Sequence, residues 1–213
     1  MFKMKNVYLI AILTMGFLSF SNFFGVKIAG ISVVIGIVFF FIVKSLDGKD
    51  DLHNNLSIKD FGTILKDRSI WFWISSPLLM NVFCFSFAVL LLPEFIEHLN
   101  TRTGPMVSFN TLLLVVLQLG ILALGEEIAW RGFFQKQLNK WLPIIPTLIL
   151  TSFLFSFAHF AMGDSVVVIF DSLFIFINSV LYGFIFYRTN NLWVSAFSHF
   201  IANVFSVLVI SIL

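Results

Sequence analysis

Seven apolar segments, each near the roughly 20 residues that cross a bilayer, take up most of this 213-residue chain. They run at about 7–24, 28–43, 70–92, 106–125, 143–162, 165–187 and 192–213. A backbone in hydrocarbon has to satisfy its own hydrogen bonds, so these continuous apolar runs are expected to be helices. With 59% hydrophobic residues, 29 Phe and only 11% charged residues, too little polar surface remains to cover a water-soluble domain. The fold class that follows is all-α, a polytopic membrane bundle of about seven helices with its polar groups inside. Two parts are expected: residues 1–105, holding the N-terminal spans and a polar loop, and residues 106–213, a helical core that carries most of the buried polar groups. The net charge of +2 gives no case for nucleic-acid binding, and the single cysteine, Cys84, has no partner for an internal disulfide.

The start, Met1-Phe2-Lys3-Met4-Lys5 and then an apolar run from Val7, has the look of a secretory signal. It lacks a small-x-small cleavage site and more membrane segments follow, so it is read as an uncleaved first span. Lysines and arginines decide orientation. Lys3, Lys5, Lys44, Lys49, Lys59, Lys66, Arg68, Arg131, Lys136, Lys140 and Arg188 fall on the N-terminal side, against only Lys27 and Arg102 on the other. That 11-to-2 split places the N-terminus in the cytoplasm and the C-terminus outside a cell membrane. Within the polar stretch 44–68, Phe61, Ile64 and Leu65 share one helical face, which suits a helix lying on the membrane surface.

Charged groups surrounded by hydrocarbon are costly to hold, and this chain holds several. Glu126-Glu127-x-x-x-Arg131 ends the fourth apolar run. Glu127 and Arg131 are i, i+4, the spacing of an ion pair on one helix face, while Glu126 points about 100° away and is left as a candidate general base. His159 closes the fifth segment, and His199 and Asn203 lie one turn apart in the seventh. In the sixth, Asp164, Asp171 and Asn178 are spaced by seven, so Asp171 and Asn178 are candidate lining for an interior cavity or for helix packing. The other two histidines, His53 and His98, fall in expected loops and read as solvated.

There is no His-Glu-x-x-His and no Gly-x-Ser-x-Gly, and Cys84 has no neighbouring base. Ser156 and Ser198 fit helix packing better than nucleophilic attack. A carboxylate, two histidines and an amide from three helices suit two chemistries equally well. Glu126 with His159 could activate a water while His199 and Asn203 stabilise an oxyanion, or Glu126, His159 and His199 could ligate a metal with an open position.

These residues resemble the intramembrane endopeptidases typified by the type II CAAX prenyl protease and its bacterial relatives, the CPBP or Abi family. Glu126-Glu127-x-x-x-Arg131, Phe155-x-x-x-His159 and His199-x-x-x-Asn203 match its three motifs in order, across about residues 110–204. The resemblance implies a catalytic core at 106–213, with Glu126 and His159 activating water and His199 and Asn203 forming the oxyanion hole. It implies a membrane-embedded peptide or protein substrate and the lipid bilayer as partners, and no required cofactor. Metalloprotease chemistry stays open, a zinc ion then taking Glu126, His159 and His199. With the base placed toward the cytoplasmic end of the fourth span, substrate is expected to enter from that side or its leaflet. The alternatives are a non-catalytic membrane protein, such as a bacteriocin self-immunity factor or a scaffold, and a transporter using Asp171.

Overall fold

The computed structural model describes residues 2–46, 54–103 and 112–213, and every regular element among them is helical. The order is α1 (Phe2–Ser19), α2 (Gly30–Leu46), α3 (Ile58–Ile64), α4 (Arg68–Leu91), α5 (Glu94–Thr103), α6 (Leu112–Glu127), α7 (Lys136–Leu138), α8 (Ile144–Ala158), α9 (Ser165–Thr189) and α10 (Leu192–Ile212). Between α6 and α7 the chain stays helical but widens into a π-helical segment, Ile128–Gln135. His53, Lys49, Asp50, Asp51, Met106, Asn110 and the expected boundary at 105/106 lie outside the described residues.

Seven apolar helices stand where seven apolar segments were expected, and four are long and apolar enough to cross a membrane: Arg68–Leu91, Leu113–Leu138, Ser165–Thr189 and Leu192–Ile212. Val7–Ser19, Gly30–Leu46 and Ile144–Ala158 are shorter. At 1.5 Å per residue, the 15 residues of α8 reach only about 22 Å. Side chains such as Leu13, Phe17, Leu90 and Ile121 are well exposed, as expected of an outer face solvated by lipid.

The helix ends are set by polar residues. Asp67 accepts from Ser69 N to start α4, Asp164 from Val166 and Val167 N to start α9, and Asn191 from Trp193 and Val194 N to start α10. Asp164 is therefore a cap rather than the first member of a cavity stripe. Asn190 takes the left-handed conformation, φ 48°, which closes α9 and lets α10 turn straight back beside it.

The π segment is the centre of the bundle. Ala129, Trp130, Phe133 and Phe134 are fully or almost fully buried, packed with Tyr8, Ala11, Ile12 and Met15 of α1 and Phe40 of α2. The N-terminal helix is thus part of the core. α2 can approach this closely only through Gly36, where an added Cβ would stand 2.6 Å from Ala129 Cβ and 2.8 Å from Ala129 Cα. Gly36→Val is therefore expected to destabilise by about 1–3 kcal/mol or more, since backbone has to move. Thermal unfolding in detergent checks it, and an unchanged midpoint would contradict the contact.

Two expectations change. α3 forms, but Phe61, Ile64 and Leu65 pack against the cluster of Ile70, Ile74, Ile185 and Val194, so its apolar face closes one end of the bundle instead of resting on lipid. His98 is not in a solvated loop. It sits on α5, whose Phe95 and Leu99 are buried, and its side chain is 8% exposed beside Asp171.

Candidate active site

Three helix pairings bring the polar groups of the apolar segments together. α10 packs on α6 and on α9, and α8 packs on α9. Glu126 and Glu127 end α6, His159 caps α8, and His199 and Asn203 sit near the middle of α10.

The two carboxylates part ways. Glu127 is fully buried: Oε1 lies 3.1 Å from Arg131 Nη1 and accepts from His199 Nδ1–H at 3.0 Å, while Oε2 accepts from the Ser195 hydroxyl. Arg131, also fully buried, donates through Nη2 to the Ser179 carbonyl (2.9 Å) and hydroxyl (2.8 Å). Its guanidinium lies 4.8 Å from the Phe155 ring centroid and 5.6 Å from that of Tyr182. One turn on, Gln135 Nε2 donates to the Gly183 carbonyl at 3.0 Å, so the π segment grips α9 at two successive turns. π-helical turns are rare and concentrate at functional sites.

Glu126 faces a cavity of about 740 Å³ instead. Its Oε1 is 3.5 Å from His159 Nε2 and its Oε2 is 3.7 Å from His199 Nε2. Both gaps exceed a good direct hydrogen bond. Each ring is fixed from behind. His159 Nδ1–H donates to the Phe155 carbonyl at 2.8 Å, and His199 Nδ1–H donates to Glu127. Tyr182 stacks on His199 with ring centroids 4.3 Å apart and planes 18° from parallel. Both Nε2 atoms therefore point at the Glu126 carboxylate.

Asn203 lines the same cavity, as do Asp171 and Asn178. Asn178 Nδ2 donates to Asn81 Oδ1 at 2.6 Å, and Asn81 Nδ2 donates to the Ala202 carbonyl and Ser206 Oγ, both at 3.0 Å, so α4, α9 and α10 are tied together at this level. Asp171 pairs with Arg102 (3.3 Å) and His98 (3.3 Å). Ser156 and Ser198 donate to the carbonyls of Ser172 and Ile74, which spends both hydroxyls on helix packing. Among the described residues, no group of three or more His, Cys, Asp or Glu side chains is arranged to hold a metal ion. No catalytic step is assigned to a metal.

Ser195 and Tyr182 are the supports that sequence reasoning missed. Both had a signal: Ser195 is i−4 to His199, and Tyr182 is i+4 to Asn178, so each extends a polar face already identified.

The family model described as type II CAAX prenyl endopeptidase Rce1-like matches residues 108–205, a span that contains all three motifs. Residues 108–205, just under half of the chain, are similar to that family. No curated protein and no solved structure matches the chain. The family is one of endopeptidases, which supports a membrane-embedded protease at that general level. Within residues 108–205, Glu126 and the two histidines form the cavity floor, and the Glu127–Arg131 network seals the bundle beneath them. The expectation that substrate comes from the N-terminal side disagrees with this shape. The cavity runs the other way, toward the end of the bundle where α5 and residues 159–162 lie. The reason is local: α8 stops at Ala158, leaving room above His159 that a full-length span would have filled.

Proposed function

We propose that the protein hydrolyses a peptide bond of a membrane-associated peptide or protein inside this cavity. The observation that carries the proposal is the convergence of Glu126, His159 and His199, with both imidazole Nε2 atoms aimed at one carboxylate. Glu126, helped by His159, takes a proton from water as the oxygen attacks the scissile carbonyl. His199 in its doubly protonated form, held through Nδ1–H on Glu127, donates through Nε2–H to the oxyanion that develops, as does the Asn203 amide, and the proton held on Glu126 passes to the leaving amine as the C–N bond breaks. Glu127, Arg131 and Ser195 touch no reacting atom; they hold His199 in place through its Nδ1.

The test is cleavage of hydrophobic peptides by the purified protein beside His159→Ala and His199→Ala variants. Each is expected to lose about 10²–10⁴-fold in rate, the usual contribution of a positioned acid–base group. Activity that survives in the double variant would overturn the proposal. Full activity after chelator treatment, with no stoichiometric metal in the active protein, is the expected outcome of metal analysis. Stoichiometric zinc lost together with activity would replace the glutamate-and-water scheme by one in which Glu126, His159 and His199 are ligands.

A further inference from the structure

The direction of the cavity and the distribution of charge, taken together, fix the face from which the site is reached. Apart from the floor, the lining comes from one end of the bundle: Lys27 in the α1–α2 connection, Thr101 and Arg102 on α5, Met162 beyond α8 and Ile210 near the end of α10. α7, the α7–α8 connection, the α9–α10 turn and α3, which all lie at the opposite end, contribute no lining residue. Passage from that end is blocked by Trp130, Arg131 and Glu127, each 0% exposed.

The charges divide along the same axis. Arg131 is buried in its ion pair and drops out of the topology count, but the other described cations of its group still lie at the sealed end, against Lys27 and Arg102 at the open one. Lysine and arginine excess marks the cytoplasmic side of a membrane protein. The sealed end is therefore the cytoplasmic end, and the mouth of the cavity faces outside.

We infer that the site works from the extracytoplasmic face, and that its substrate class is a peptide segment displayed on that face by an exported or membrane-anchored chain. The inference takes the peptide nature of the substrate from the proposed peptidase reading; the face of access stands without it. The open end also suits such a segment chemically. Asp171 neutralises Arg102, leaving Lys27 as the uncompensated charge among the described residues of a mouth whose walls include Phe95, Leu99, Phe174 and Ile210. An extended and largely apolar segment can therefore descend to Glu126 without stranding a charge.

Single exposed cysteines in the full-length Cys84→Ala protein test the face of access. A membrane-impermeant maleimide added to intact cells is expected to label Thr101→Cys and Met162→Cys, whereas Asn139→Cys at the sealed end reacts only after permeabilisation. The reverse pattern overturns the inference, and so does labelling of all three in intact cells. Two rim positions are used so that one poorly folding variant leaves the result readable. A second arm adds quenched hydrophobic peptides outside proteoliposomes, with the orientation of the Thr101→Cys protein read from its labelling. Cleavage is expected to scale with the fraction whose rim faces outward, and scaling with the opposite fraction overturns the inference. Absence of cleavage in either orientation counts against the peptidase reading alone, because labelling decides the face independently.

Discussion

Arg131→Leu is expected to cost about 3–5 kcal/mol of stability, a larger loss than at Gly36 or at the cavity floor. The leucine fills part of the volume, but Glu127 keeps a fully buried carboxylate whose remaining partners are His199 and the Ser195 hydroxyl. The guanidinium also supplies two hydrogen bonds to Ser179 and lies against Phe155 and Tyr182, so both the contact with α9 and the ring that orients His199 loosen together. Against a total stability of about 5–15 kcal/mol, this is enough to lower the yield of monodisperse protein and to drop the unfolding midpoint sharply. Glu127→Gln is expected to be severe for the converse reason, since it leaves Arg131 charged and unpaired. The double variant Glu127→Gln/Arg131→Leu is expected to lose less than the sum of the two, because neither member of the pair is left alone. Thermal unfolding of the four proteins in one detergent gives the cycle. Additive losses would mean that the two side chains do not act as a pair.

What the sequence makes legible is set by what helical spacing can carry. Helices had to form in the apolar runs, and once they are helices the i, i+4 relations of Glu127 with Arg131 and of His199 with Asn203 follow from geometry alone. The widening at Ile128–Gln135 is not legible, because a π turn reflects how α2 and α9 grip the segment through Gly36, Ser179 and Gly183, none of which is local to it. The placement of His98 escapes for a related reason. Residues 94–103 are too polar to be a span, but His98 and Arg102 are one turn apart, and so are Phe95 and Leu99, the pattern of a short amphipathic helix. The direction of the cavity is beyond reach. Charge counting tells which way a loop faces, but the opening depends on where α8 stops, and its apolar sequence resumes after His159 with Phe160, Ala161 and Met162.

The same separation of roles bears on the base. Glu126 contributes little to packing: its side chain is 19% exposed, it faces the cavity, and its nearest polar neighbours are held by other groups. Glutamine in its place keeps the shape and removes the ability to take a proton. A substitution at the floor should therefore separate chemistry from folding in a way that Glu127 and Arg131 cannot. The decisive measurement is the rate of peptide cleavage by purified Glu126→Gln beside the unaltered protein at matched unfolding midpoints. The account predicts a loss of about 10²–10⁴-fold, equivalent to about 3–5.5 kcal/mol of transition-state stabilisation, with the midpoint unchanged. Cleavage within a few-fold of the unaltered protein would contradict it, and the carboxylate facing the cavity would then not be the base.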